Sequence, residues 1–99
     1  MKVFRKKAKP IVVNHNVFIC VVVERRDDVI FRAYSGKSKS SFIEISFGWK
    51  ECYYINLYRP RLESILIQHC LNLGWQHDKP KQIMRIKDSE QLIQKLLLL

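Results

Sequence analysis

Apolar residues alternate with polar ones along much of the first half of the chain, which is the two-residue period of β-strands. Residues 17–23 are apolar throughout, whereas residues 29–34 and 42–47 show this period. Charged or Gly- and Ser-containing segments separate the three stretches. The first stretch is apolar at both parities, a pattern typical of a strand covered on both faces, so we expect it near the sheet centre. A fourth strand is expected over residues 51–57, as the hairpin partner of the third.

A helical pattern replaces this alternation in the second half of the chain. Pro60 suits the first turn of a helix, and Gly74 suits the position just past a helix end. Apolar residues cover most of the helix circumference between them, so a largely buried helix is predicted over about residues 60–73. A last strand is expected over residues 81–86, and capping-box spacing at residues 88–91 predicts a short final helix.

These elements predict a domain of the α+β class. We expect the order ββββαβα, with an antiparallel sheet of four to five strands and two helices packed on one face. The chain has 99 residues, of which 47% are hydrophobic and 27% charged, which suffices for one globular core but not for two. We therefore assign residues 11–99 to a single domain and residues 1–10 to a basic, flexible N-terminal tail.

The chain is strongly basic, with 18 Lys and Arg against 9 Asp and Glu and a net charge of +9. Five of the basic residues, Lys6 and Lys7 among them, lie in residues 2–9, where there is no acid. A tail of this kind attracts polyanions such as nucleic acid or an acidic protein surface. The structural alternative is a terminus that simply lies in solvent.

A second basic segment combines arginines with tyrosines. Arg59 and Arg61 lie at the predicted helix start, where unpaired N–H groups and the helix dipole favour anions. Tyr54 and Tyr58 precede them, and aromatic rings beside cations can stack bases while the cations neutralise phosphates. The structural alternative is that the tyrosines are half-buried sheet residues and that Glu63 pairs with one of the arginines.

The loop of residues 35–41 holds two lysines and several serine hydroxyls, which are donors for a phosphate group. A solvated loop is the alternative interpretation. The candidate contacts for an anion or a nucleic acid are therefore Arg59, Arg61, Tyr54, Tyr58, Lys37, Lys39, Lys6 and Lys7.

Signatures of catalysis, of cofactor binding and of metal binding are absent from the sequence, which has no GxSxG, HExxH or dinucleotide-binding pattern. Its three cysteines are widely spaced, which favours reduced thiols over disulfides or a zinc site. The longest apolar run, residues 17–23, is too short to cross a bilayer. We expect a cytoplasmic protein that is not an enzyme and has no cofactor, metal, membrane span or small-molecule substrate.

The last four residues are all leucine. A short helix with an apolar face of its own leaves Leu98 and Leu99 facing elsewhere, so a partner that covers them gains apolar contact. The candidate interface residues are Leu96, Leu98 and Leu99. We therefore expect a small basic binding module that acts through protein–protein contacts, with another protein or as a homodimer. A nucleic-acid-binding protein is the alternative.

Overall fold

The computed structural model of the protein describes residues 8–50, 56–87 and 91–93. In chain order its elements are β1 (Lys9–Val13), β2 (Asn16–Glu24), β3 (Asp28–Ser35), β4 (Phe42–Gly48), α1 (Pro60–Asn72) and β5 (Ile83–Ile86). Residues 91–93 are also helical, within the predicted final helix. The strands form one sheet in the order β1-β2-β3-β4-β5. The α+β class is thus confirmed.

The sheet is mixed, so the prediction of an antiparallel sheet is wrong for β5, which runs parallel to β4. The reason lies in the connection between these two strands. The 13 residues of α1 span about 20 Å, roughly the length of β4, so the helix returns the chain to the end at which β4 begins. Ile83 therefore pairs with Phe42, the first residue of β4. The pairs β2–β3 and β3–β4 are antiparallel, as expected, and β1 also pairs with β2 in the antiparallel direction.

Strand β1 has no counterpart in the sequence prediction and includes Lys9 and Pro10, which were assigned to the tail. It joins β2 through a tight turn at Asn14 and His15, with φ values of 53° and 68°. Two successive positive φ values are typical of the turns that close two-residue hairpins. Residues 1–7, the rest of the predicted tail, lie outside the described residues.

The predicted strand over residues 51–57 falls mostly outside the described residues as well. Asn56 and Leu57 are described, and neither belongs to a strand. The helix prediction is confirmed, with α1 ending one residue earlier than expected. Gly74 follows it with a φ of 105°, the left-handed conformation that a glycine adopts readily at a helix end.

One face of the sheet, the core face, packs against α1. Because side chains alternate across a strand, every second residue of β2 points into this core, namely Phe18, Cys20 and Val22. The helix meets the core face with its buried side chains. These are Leu62, Glu63, Leu66, Ile67 and Cys70. Trp75 closes the core beyond the helix end, and its Nε1 donates a hydrogen bond of 2.8 Å to the carbonyl of Gln82.

The opposite face of the sheet, the open face, carries the alternate residues. Strand β2 lies inside the sheet, between β1 and β3, but the prediction that it is covered on both faces is wrong. It lies second in the sheet, and its open-face side chains are exposed at Val17 and half-buried at Ile19, Val21 and Val23. Ile30 of β3 is the buried exception among the described residues of this face.

Candidate functional site

An apolar row crosses the open face in register through all five strands. Pro10 of β1 pairs with Ile19 of β2, which pairs with Tyr34 of β3. Tyr34 pairs with Phe42 of β4, and Phe42 with Ile83 of β5. Partners in a sheet lie on the same face, so these five side chains form a continuous stripe about 20 Å long.

Further aliphatic side chains widen this stripe on the β1 and β2 side. Val12 is 64% exposed and Val17, its partner in the register, is 46% exposed. Ile83, at the other end of the stripe, is also 46% exposed. Single exposed aliphatic residues are ordinary on a protein surface, whereas a large contiguous apolar patch is typical of contact surfaces.

A polar row lies next to the apolar one. Arg32 of β3, Glu44 of β4 and Arg85 of β5 are paired across the strands. Arg32 Nε donates to Glu44 Oε1 at 2.9 Å, and Arg85 Nε lies 3.6 Å from Glu44 Oε2. One carboxylate thus holds two guanidinium groups, which leaves the row with a net charge of +1. Arg85, with its side chain 56% exposed, is the accessible member.

The aromatic pair of the open face lies beside these arginines. The ring centroids of Tyr34 and Phe42 are 5.1 Å apart at an interplanar angle of 46°. The guanidinium carbons of Arg32 and Arg85 lie 6.0 Å and 5.9 Å from the Phe42 centroid, within the range of cation–π contact. This cluster offers flat apolar surface beside positive charge, a combination that accepts an apolar protein side chain or a base.

The arginine–tyrosine segment predicted from the sequence lies elsewhere. Arg59 is the N-cap residue of α1, and both it and Arg61 are exposed. The phenol of Tyr58 donates a hydrogen bond of 2.7 Å to Glu24 Oε2, and its backbone carbonyl accepts one from Lys9 Nζ. This segment belongs to the layer that covers the core face, so it does not join the cluster on the open face.

The loop of residues 35–41 is held in place by hydrogen bonds within the chain. The backbone N–H groups of Lys37 and Ser38 donate to the hydroxyl of Ser35, at 3.1 Å and 3.3 Å. The hydroxyl of Ser40 accepts from the N–H of Lys81 at 2.9 Å. These N–H groups and hydroxyls, which the sequence analysis considered as contacts for a phosphate, are therefore hydrogen-bonded within the chain. Lys37 and Lys39 are exposed.

The remaining candidate residues lie outside the described part of the chain, namely Lys6, Lys7, Tyr54, Leu96, Leu98 and Leu99. The residues that sequence reasoning missed are Arg32, Tyr34, Phe42 and Arg85. The sequence does contain a signal for them. If both helices pack on one face of the sheet, the alternate residues of the strands over 29–34 and 42–47 point to the other face, which no helix covers.

A groove of about 380 Å³ opens at the end of the sheet where β2 and β3 join. Its lining consists of Val22, Glu24, Val29, Trp49, Asn56, Leu57 and Tyr58. Trp49 is fixed there, because its Nε1 donates to the carbonyls of Arg25 and Arg26 at 3.1 Å each. Residues 51–55, which connect two of the groove walls, lie outside the described part, so we infer no ligand from its shape.

The two described thiols are not placed for chemistry. Cys20 and Cys70 are buried, and burial raises the pKa of each to about 12. For Cys20, the nearby charge of Glu63 contributes to this rise in pKa, and that of Lys9 opposes it. Over the described ranges, no three His, Cys, Asp or Glu side chains converge as a metal site would require. The same part of the chain contains no helix with the length and apolar character to cross a membrane.

Comparisons with protein-family models, with curated proteins and with solved structures gave no match.

Proposed function

We propose that this protein is a small, non-enzymatic binding module that acts through protein–protein contacts, with the open face as its contact surface. The partner that fits this face presents apolar side chains to the stripe and an acidic group to Arg85. The observation that carries the proposal is the exposure of aliphatic side chains at both ends of a stripe that crosses every strand. Val12, next to Pro10 on β1, and Ile83 on β5 mark these two ends.

The energy available from covering this surface supports the proposal. Complete burial of a Val or Ile side chain is worth about 1.5–3 kcal/mol, so covering one that is half exposed yields about 1 kcal/mol. Val12, Val17 and Ile83 together offer about 3 kcal/mol, and the half-buried residues add to this. That is a substantial part of what a micromolar complex needs.

The charge of the chain favours an acidic partner. The net charge of +9 raises the encounter rate with acidic surfaces and opposes contact with basic ones. On the open face itself, Arg85 is the group that such a partner reaches first, because Glu44 and Arg32 are less exposed.

The test is capture from native lysate by three forms of the chain. The Val12→Glu, Ile83→Glu variant places charges at both ends of the stripe, and Leu73→Glu is the matched control. Leu73 is 56% exposed and lies at the end of α1, in the layer on the core face. We expect the intact chain and the control to retain the same protein, and the open-face variant to lose it, with circular dichroism showing all three folded. Retention by the open-face variant would contradict the proposal.

Nucleic-acid binding is the second candidate, and the aromatic pair flanked by arginines favours it. Tyr34 and Phe42 offer stacking surface on the sheet, and Arg32 and Arg85 lie within contact of Phe42. If the protein binds nucleic acid, its affinity for a single-stranded oligonucleotide should fall as the salt concentration rises. The Phe42→Leu variant should bind the oligonucleotide more weakly. Removal of residues 2–9 should make the affinity less dependent on salt. Capture that disappears after nuclease treatment favours this candidate over the first.

A further inference from the structure

We infer that β5 accepts an extended, acidic segment of the partner protein as a sixth strand of the sheet. The inference rests on the proposed function, because β5 forms one end of the apolar stripe. It adds the backbone geometry and the side-chain chemistry of the partner segment.

Strand β5 lies at one edge of the sheet, and the described residues contain no strand on its other side. Its register with β4 shows which backbone groups face away from the sheet. The N–H of Phe42 donates to the carbonyl of Gln82 at 3.1 Å, and Phe42 pairs with Ile83. Residues along a strand alternate in the side to which their backbone groups point, so Gln82 and Met84 bond to β4. The N–H and carbonyl groups of Ile83 and Arg85 therefore point outwards.

The opposite edge of the sheet, β1, is less suited to an added strand. The N–H of Gly36 at the end of β3 donates to the carbonyl of Val17, so the odd-numbered residues of β2 bond to β3 and the even-numbered ones to β1. By the register, Pro10 and Val12 are then the outward-facing residues of β1. Pro10 has no N–H to donate, and a proline at such a position protects an edge from pairing. Strand addition is therefore favoured at β5.

The side chains at the β5 edge favour an acidic segment. In the polar row of the open face, Arg32, Glu44 and Arg85 alternate in charge from β3 to β5. A carboxylate in the next strand continues this alternation and balances the net charge of +1. Lys81 and Lys87, which flank β5 in the chain, are exposed and add positive charge. These cations also oppose pairing of β5 with the same strand of a second copy.

The register defines the spacing of side chains in the partner segment. In an antiparallel pairing, the residues opposite Ile83 and Arg85 each exchange two hydrogen bonds with them. Residues that pair across strands lie on the same face, so both partner side chains extend the open face. An aliphatic side chain fits beside Ile83, which is 46% exposed, and a carboxylate fits beside Arg85. The segment therefore carries an acidic and an aliphatic residue two positions apart.

Strand addition does not require a large interface. Main-chain hydrogen bonds supply affinity, and the alternate side chains supply specificity. Because the side chains join opposite charges at an exposed edge, the affinity should fall as the salt concentration rises.

The experiment uses the full chain and two synthetic peptides of about eight residues, in which either Glu or Lys alternates with Val. Amide hydrogen exchange is followed by NMR, with peptide at up to about 1 mM in about 50 mM salt. The outward N–H groups of Ile83 and Arg85 should exchange at least about tenfold more slowly when the Glu peptide is present. Exchange of the Met84 N–H, which bonds to β4, should change little, and the Lys peptide should protect none of them.

Two proline variants distinguish the edges. Ile83→Pro removes an outward N–H and leaves the bonds to β4 in place, and Val12→Pro is the matched change on β1. We expect Ile83→Pro to lower the affinity for a fluorescent Glu peptide about tenfold, and Val12→Pro to leave it unchanged. Arg85→Gln should lower this affinity several-fold and make it less dependent on salt. If Ile83→Pro fails to fold, Arg85→Gln and the exchange pattern of the intact chain decide.

The opposing outcomes are equally specific. Exchange at Ile83 and Arg85 that the Glu peptide leaves unchanged overturns strand addition, and so does equal protection by the Lys peptide. Binding of a single-stranded oligonucleotide in place of the Glu peptide overturns it as well, in favour of the second candidate function. The proposed function would survive the first two results if the Val12→Glu, Ile83→Glu variant still lost the captured protein.

Discussion

Lys9 Nζ, on the edge strand β1, lies 3.4 Å from Oε1 of Glu63 in the first turn of α1. This distance exceeds that of an ordinary N–H···O hydrogen bond, so the contact is an ion pair, and Oε1 has no hydrogen-bond partner. The Glu63 side chain is 1% exposed, whereas that of Lys9 is 36% exposed. The pair joins the edge of the sheet to the helix and leaves a carboxylate buried in the core.

The first prediction concerns the pH dependence of stability. Burial raises the pKa of Glu63, and the charge of Lys9 only partly opposes this. The folded state therefore binds a proton that the unfolded chain releases, in the range between the ordinary pKa of about 4.3 and the raised value. Across that range the free energy of unfolding falls as the pH rises. Urea unfolding between about pH 4 and pH 8 should show this slope in the intact chain and a flatter one in Glu63→Gln. Equal slopes would contradict the burial of this carboxylate.

A second prediction concerns removal of the cation. Lys9→Met leaves the Glu63 carboxylate buried without its partner, which costs about 3–5 kcal/mol in fully buried pairs. Because Lys9 is partly exposed, we expect a loss of about 1–3 kcal/mol in the free energy of unfolding at neutral pH. Addition of Glu63→Gln should recover most of this loss, since the buried charge is then gone. Lys50→Met, at an exposed position, is the control and should change stability little.

Much of the fold was predictable because its periodic stretches are long and have clear ends. Pro60 and Gly74 fix the helix limits through backbone chemistry that acts within a few residues. The direction of β5 depends instead on the length of α1 relative to β4, which the local pattern around Ile83 does not contain. Strand β1 was missed because its apolar residues are few, although the polar pair Asn14 and His15 is a usable hairpin signal.

The candidate site was less predictable than the fold. The sequence prediction relied on residues that are close along the chain, and it therefore placed Tyr58 and Arg59 in one candidate site. Phe42, by contrast, meets Tyr34 and Arg85 only after the sheet has formed, and Arg85 is brought to it by the parallel strand. A surface formed by residues that are paired across strands can be predicted only when the strand order and the covered face of the sheet are known.

A third prediction tests the open end of the β2–β3 pair, where β2 begins and β3 ends. The N–H of Gly36 donates to the carbonyl of Val17 at 2.9 Å, and a Cβ at Gly36 would lie 2.6 Å from that oxygen. Because both atoms belong to the backbone, Gly36→Ala should force the strand ends apart and cost about 1–3 kcal/mol. Amide hydrogen exchange should accelerate at the beginning of β2 and the end of β3.

Gly74→Ala is the matched comparison for this change. A Cβ there has no atom within 4 Å, but the φ of 105° disfavours alanine. We expect it to lower the stability by about 1 kcal/mol while leaving exchange at the beginning of β2 unchanged. If the two variants had the same exchange pattern, the close approach of Gly36 to Val17 would not be the cause of its effect.

The last prediction uses the buried thiols as reporters of core opening. Cys20 on β2 and Cys70 on α1 face the same core from its two layers, with exposures of 1% and 0%. Burial raises the pKa of each to about 12, so at about pH 8 roughly one molecule in ten thousand carries a thiolate at either site. In a Cys52→Ala background, which retains these two cysteines alone, iodoacetamide should therefore label the folded protein far more slowly than the urea-unfolded chain. If sheet and helix open as one cooperative unit, peptide mapping should find both thiols labelled at a common rate set by global unfolding. Faster labelling of Cys70 than of Cys20 would mean that α1 leaves the sheet before the sheet itself opens.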